Sequence, residues 1–128
     1  MFDILVIDNS TSDRVIIKMM LERHSQTGVI LECSSGSEAM NLLAERENPA
    51  MVPLIVLCDL NLDSELGSDV IQMIRKTYGK EHYFYVLMSG ERYHLREFRE
   101  KLHVDAILEK MFDIEDWDRE IARMYNNV

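Results

Sequence analysis

The chain has 128 residues, 47% hydrophobic and 29% charged, the make-up of an ordinary soluble globular domain built on one core. Its net charge of −9 argues against duplex DNA or RNA as a direct ligand, because phosphate neutralisation needs clustered Lys and Arg. Asp3 and Asp8 interrupt the first apolar stretch and no run approaches about 18 apolar residues, so neither a signal peptide nor a membrane span is expected, and the cytoplasm is the expected compartment.

Strand and helix signals alternate along the chain. Residues 4–8 (ILVID) read as a first strand, a short aliphatic run that stops on Asp8 and Asn9. Ser10, Thr11, Ser12 and Asp13 offer N-caps for a helix over 13–25, with Val15, Ile16, Met19, Met20 and Arg23 at helical spacing and Gly28 marking its end. A second strand over 29–33 leads through Ser34 and Ser35 to a helix over 38–47 carrying Ala39, Met40, Leu42 and Leu43. Pro49 and Pro53 bracket the way to a third strand, 54–58 (LIVLC), which stops on Asp59. A polar loop closed by Gly67 precedes a helix over 68–78 with Val70, Ile71, Met73 and Ile74. Residues 83–88 form a fourth strand, 91–101 a fourth helix and 104–108 a fifth strand. Lys110 follows, and the last helix spans 114–125 with Ile114, Trp117, Ile121, Ala122 and Met124 towards the core. Acids at Asp113, Glu115 and Asp116 suit that helix's N-terminal dipole. The two cysteines, Cys33 and Cys58, both fall in strands and read as small core residues in a reducing compartment rather than as a disulfide.

Five strands and five helices joined by short connections imply a doubly wound α/β domain over residues 1–128, with a five-stranded parallel sheet and helices on both faces. In such a sheet the strands' carboxyl ends share one crevice. The residues just past each strand are then Asp8 and Asn9, Ser34 and Ser35, Asp59, Ser89 and Lys110. Two acids placed together repel unless a cation or a proton joins them. Two acids, a hydroxyl and a lysine suit phosphoryl transfer: a carboxylate attacks phosphorus, a lysine and a divalent cation spread the charge, and a hydroxyl donates to a phosphoryl oxygen.

The segments ILVIDNS, LIVLCDLNLDSELG, VLMSG and LEKMF, in this order and spacing, resemble the receiver domain of two-component response regulators along the whole chain. The resemblance implies a flavodoxin-like strand order 2-1-3-4-5. It implies that Asp59 is the phosphoacceptor, that Asp8, Asp59 and the backbone carbonyl of Asn61 surround a Mg²⁺, that Ser89 binds a phosphoryl oxygen and that Lys110 pairs with the phosphoryl group. It implies a signalling domain rather than an enzyme, at most self-phosphorylating and self-dephosphorylating. The donor would be a sensor histidine kinase or a phosphotransfer protein, and the output face the fourth helix, fifth strand and fifth helix. Four positions depart from the family pattern. Asn9 stands where a second acid is usual; its amide oxygen can still coordinate a metal, but one negative charge is lost, so Mg²⁺ binding is expected to be weak. Met111 replaces a proline, Ile107 replaces a switch aromatic, and the loop Leu62 to Gly67 keeps the glycine but not the proline.

Two other readings compete. The same departures fit a divergent receiver that binds a protein without phosphate. A Mg²⁺-dependent hydrolase fits less well, because such phosphatases usually carry a second acid two residues after the nucleophile, where this chain has Asn61. The run from Asp59 to Asp63 also resembles the start of an EF-hand loop, but Ser64 and Val70 stand where that loop needs Gly and Glu. His24, His82, His94 and His103 lack metal-ligand spacing.

Overall fold

A computed structural model describes residues 1–46, 52–90, 100–101 and 104–128. The aliphatic runs form five strands, β1 (Phe2–Ile7), β2 (Thr27–Cys33), β3 (Leu54–Asp59), β4 (Tyr83–Ser89) and β5 (Ala106–Glu109). All pair in parallel, in the order β2-β1-β3-β4-β5. Central β3 is buried at every residue, as a strand covered on both faces must be. The helices are α1 (Thr11–Glu22), α2 (Gly36–Glu45), α3 (Gly67–Tyr78) and α4 (Ile114–Asn127). The helix expected over 91–101 lies outside the described residues, apart from Glu100 and Lys101, which are helical.

Alternation along each strand sends neighbouring side chains into two separate cores. Leu5, Ile7, Val56 and Cys58 pack with Ala39, Leu43, Val70 and Ile74 of α2 and α3. Ile4, Val6, Ile55 and Leu57 pack with Ile17, Leu21, Trp117 and Ile121 of α1 and α4. Ile107 is buried in the first of these cores. Cys33 and Cys58 are free and buried, as expected of small core residues.

The sequence pattern placed several faces differently from the structure. α1 buries Ile17, Met20 and Leu21, while Val15, Ile16 and Met19 are exposed. A run of six apolar residues within VIIKMML satisfies helical spacing on more than one face, so periodicity alone does not select the buried one. Met73, Ile114 and Ala122 likewise face solvent. α1 also starts earlier than expected, at Thr11, with Ser10 as the N-cap accepting from the Asp13 N–H, and ends at Glu22 with Arg23 as its C-cap. No cis peptide bond occurs among the described residues, so the Lys110–Met111 bond is trans.

Candidate functional site

Register decides which strand ends meet. Ile7 pairs with Cys58, and Asp59 pairs with Met88, so Asp8 and Asp59 leave adjacent strands side by side. Ser89 pairs with Glu109 on the other side, and the Lys110 N–H donates to the Ser89 carbonyl at 2.9 Å. The crevice at the carboxyl edge thus holds Asp8, Asp59, Ser89 and Lys110 together. Asp8 is fully buried and Asp59 is only 6% exposed. Ser89 is buried beside them.

The Lys110 ammonium occupies the middle of this group. Its Nζ lies 3.0 Å from Asp59 Oδ2, 2.8 Å from Asp8 Oδ2 and 2.7 Å from Asp13 Oδ2. The contacts to Asp59 and Asp13 are hydrogen bonds. The Asp8 contact is an ion pair without hydrogen-bond alignment, so the buried Asp8 Oδ2 has no hydrogen-bond donor. Asp8 Oδ1 accepts from the Ser10 N–H at 2.9 Å, and Arg14 donates to the Asp8 carbonyl. Burial pushes the Lys110 ammonium down, but the carboxylates of Asp13, Asp8 and Asp59 around it outweigh that and hold it above the usual lysine value. Burial raises the Asp59 carboxyl above the usual carboxylate range; Lys110 pulls it back and Asp8 adds to the rise. Charge repulsion between the two strand-end acids is therefore met by a built-in cation.

The loop after β3 holds Asp59 in place. Asp59 Oδ1 accepts from the Asn61 N–H at 3.3 Å, Asn61 bridges to Leu66, and the Gly67 N–H donates to the Leu60 carbonyl at 2.7 Å. A Cβ at Gly67 would lie 1.9 Å from the Asp59 carbonyl oxygen, so only glycine lets α3 start this close. Glu65 accepts from the Gly36 N–H at 2.6 Å and fastens the loop to the N-terminus of α2.

Asn9 points elsewhere. Its Nδ2 donates to Asp63 Oδ1 at 2.6 Å across the mouth of the crevice. Asp13 and Asp63 are the two members of this neighbourhood that the sequence analysis did not single out as site residues. Asp13 read only as a helix-start residue. The signal available was its place five residues after Asp8, in the first turn of the helix that leaves the crevice. Nothing in the sequence showed Asp63 folding back to Asn9. Among the described residues no group of three or more His, Cys, Asp or Glu side chains is preformed as a metal cage; three carboxylates face one ammonium instead.

A family model, the response regulator receiver domain, matches residues 4–122. The chain belongs to this family. Its fold matches that of the chemotaxis response regulator CheY4 of Vibrio cholerae, at 16% identity over 97% of this chain and 98% of that one, with a TM-score of 0.73. A response regulator receiver domain protein from Clostridium thermocellum matches at 22% identity over 98% and 95% of the two chains, TM-score 0.72. The Mn²⁺-bound form of response regulator Rcp1 matches at 19% identity over 98% and 93%, TM-score 0.73. Comparison with curated proteins gave no match. Receiver domains serve two-component signalling, and this one has, among its described residues, no helix long and apolar enough to cross a membrane.

Proposed function

We propose that this single receiver domain, spanning residues 1–128, accepts a phosphoryl group on Asp59 from a phosphohistidine of a sensor kinase or phosphotransfer protein. The observation that carries this reading is the Lys110 ammonium held 3.0 Å from Asp59 and 2.8 Å from Asp8 at the carboxyl edge of a receiver-family sheet. An Asp59 oxygen forms the bond to phosphorus, the P–N bond of the donor breaks, and the departing imidazole takes a proton from solvent. Lys110 spreads the negative charge of the transferring group, and Ser89 binds one of its oxygens.

The donor set suits a hard divalent cation. Asp8, whose Oδ2 is buried without a hydrogen-bond donor, would hold Mg²⁺ with Asp59 and the Asn61 carbonyl. When bound, the metal neutralises charge on the phosphoryl group. Asn9 spends its amide N–H on Asp63 and brings no negative charge, which supports weak Mg²⁺ affinity. The domain works by switching a protein surface rather than by turnover, in the cytoplasm, and needs no contact with nucleic acid. Beside Lys110 lies a groove of about 480 Å³ lined by Ile16, Met19, Met111, Phe112 and Ile114. Its exposed apolar side chains support a protein, not a small phosphodonor, as the partner at Asp59.

Intact mass after treatment with acetyl phosphate and Mg²⁺ tests the reading. A single phosphate adduct on wild type, absent from Asp59→Ala, is expected. No adduct on wild type, or one that persists in Asp59→Ala, overturns it. The Asn9–Asp63 contact favours one second reading, a divergent receiver that binds its partner independently of phosphate. That reading requires a partner affinity unchanged by Asp59→Ala and by beryllofluoride.

A further inference from the structure

An ammonium has three N–H donors. Lys110 faces three carboxylate oxygens, from Asp59, Asp8 and Asp13, at 3.0, 2.8 and 2.7 Å, donating hydrogen bonds to Asp59 and Asp13 and forming an ion pair with Asp8. A phosphoryl oxygen on Asp59 has to compete with these carboxylates for the ammonium. Asp8 and Asp59 are fixed at strand ends in the buried floor of the crevice. Asp13 differs from both. Its side chain is 39% exposed and sits in the first turn of α1. Its shortest described contact is the one to Lys110, and water can replace it there. The fully buried Asp8 Oδ2, which has no hydrogen-bond donor of its own, holds the ammonium in the crevice when Asp13 lets go.

We propose that Asp13 is a positioning residue that holds the Lys110 ammonium in a three-carboxylate cage and competes with the incoming phosphoryl oxygen for it. Asp13 thereby restores the third negative charge that Asn9 withholds, but places it on the lysine rather than at the metal position. The resting site is closed by its own cation, and phosphorylation draws Lys110 away from Asp13. This rests on the receiver function of Asp59 proposed above.

Beryllofluoride, a phosphoryl mimic, separates the two ideas when titrated calorimetrically into the full chain at saturating Mg²⁺. A partly exposed ion pair of this kind corresponds to a roughly three- to fivefold change in affinity. Beryllofluoride is therefore expected to bind Asp13→Asn that much more tightly than wild type, while Mg²⁺ alone binds Asp13→Asn no more tightly. Asp13→Glu, which keeps an anionic partner for Lys110, returns to wild-type affinity. Asp63→Asn removes one negative charge from the same mouth without touching Lys110, and shows no such gain. A purely structural role for Asp13 would weaken both ligands together. The proposal is overturned if Asp13→Asn binds beryllofluoride no better than wild type, or if Asp63→Asn gives the same gain. Wild type that binds no beryllofluoride at all overturns the receiver function itself, and this proposal with it.

Discussion

Gly67 shows how one missing side chain positions a charged one. A methyl group there would overlap the Asp59 carbonyl at 1.9 Å and crowd Leu60 Cα at 3.0 Å, and backbone atoms do not move aside cheaply. Gly67→Ala is expected to cost about 3 kcal/mol in a urea titration and to reduce acetyl-phosphate labelling further than that loss of folded protein explains. Labelling that merely tracks the folded fraction would refute the link to Asp59. Asp59 also gives a pH prediction. Burial holds its carboxyl above the usual range, so the folded state binds that proton more tightly than the unfolded chain. The resulting stabilisation is full below the unfolded value near 3.8 and is lost as pH rises through the raised folded value. Asp59→Asn does not titrate, so relative to wild type it should gain stability across that window and keep the gain at neutral pH. Paired thermal melts from mildly acidic to neutral pH check the sign; a gain that shrinks with rising pH would be wrong.

At the scale of elements, α4 is tied to the edge strand β5 by a buried carboxylate. Glu120, 5% exposed, accepts from the Glu109 N–H at 2.9 Å and from Arg123, and Arg123 donates to the Ile107 carbonyl. This clasp lies one residue before Lys110. Glu120→Ala leaves the Glu109 N–H without this acceptor, which should cost about 2 kcal/mol. Faster amide exchange at Glu109 and Lys110 than at β3 would show that the loss is local, and uniform acceleration would refute the clasp. Nothing in the sequence announced Glu120, because a helix glutamate reads as surface until the sheet edge is placed against it. The strands, by contrast, were legible: an aliphatic run ending on Asp8, and another on Asp59, are buried on both faces and admit one reading. Boundaries were less so. β5 starts at Ala106 rather than 104, and the buried side of α1 was ambiguous because Val15, Ile16 and Met19 are as apolar as the residues that face the sheet. The site was legible where it falls at strand ends and opaque where it depends on a side chain crossing from another element, as Asp13 and Asp63 do.

For the whole molecule, Lys110 joins elements that sequence separates. One ammonium touches Asp8 after β1, Asp13 in α1 and Asp59 at the end of β3, and its own backbone continues from β5. In a chain of net charge −9 this is where, among the described residues, negative charge is most deeply buried, so the internal cation supports the fold as well as the proposed chemistry. Removing it leaves Asp8 and Asp59 facing each other in low dielectric. Lys110→Ala is therefore expected to lose about 3 kcal/mol of stability, in the range for stranding one side of a buried ion pair. A divalent cation bound by the same carboxylates should restore part of that loss, since a ligand that binds only the folded state stabilises it in proportion to the logarithm of ligand concentration over its dissociation constant. Lys110 repels the metal electrostatically, so its removal should also tighten Mg²⁺ binding. Urea titrations with and without millimolar Mg²⁺ then have a definite expected order: Mg²⁺ shifts the midpoint of Lys110→Ala more than that of wild type, and it shifts Asp8→Asn least. Equal shifts in all three would mean that the metal does not bind among these carboxylates, and that Lys110 and Mg²⁺ do not share one electrostatic role.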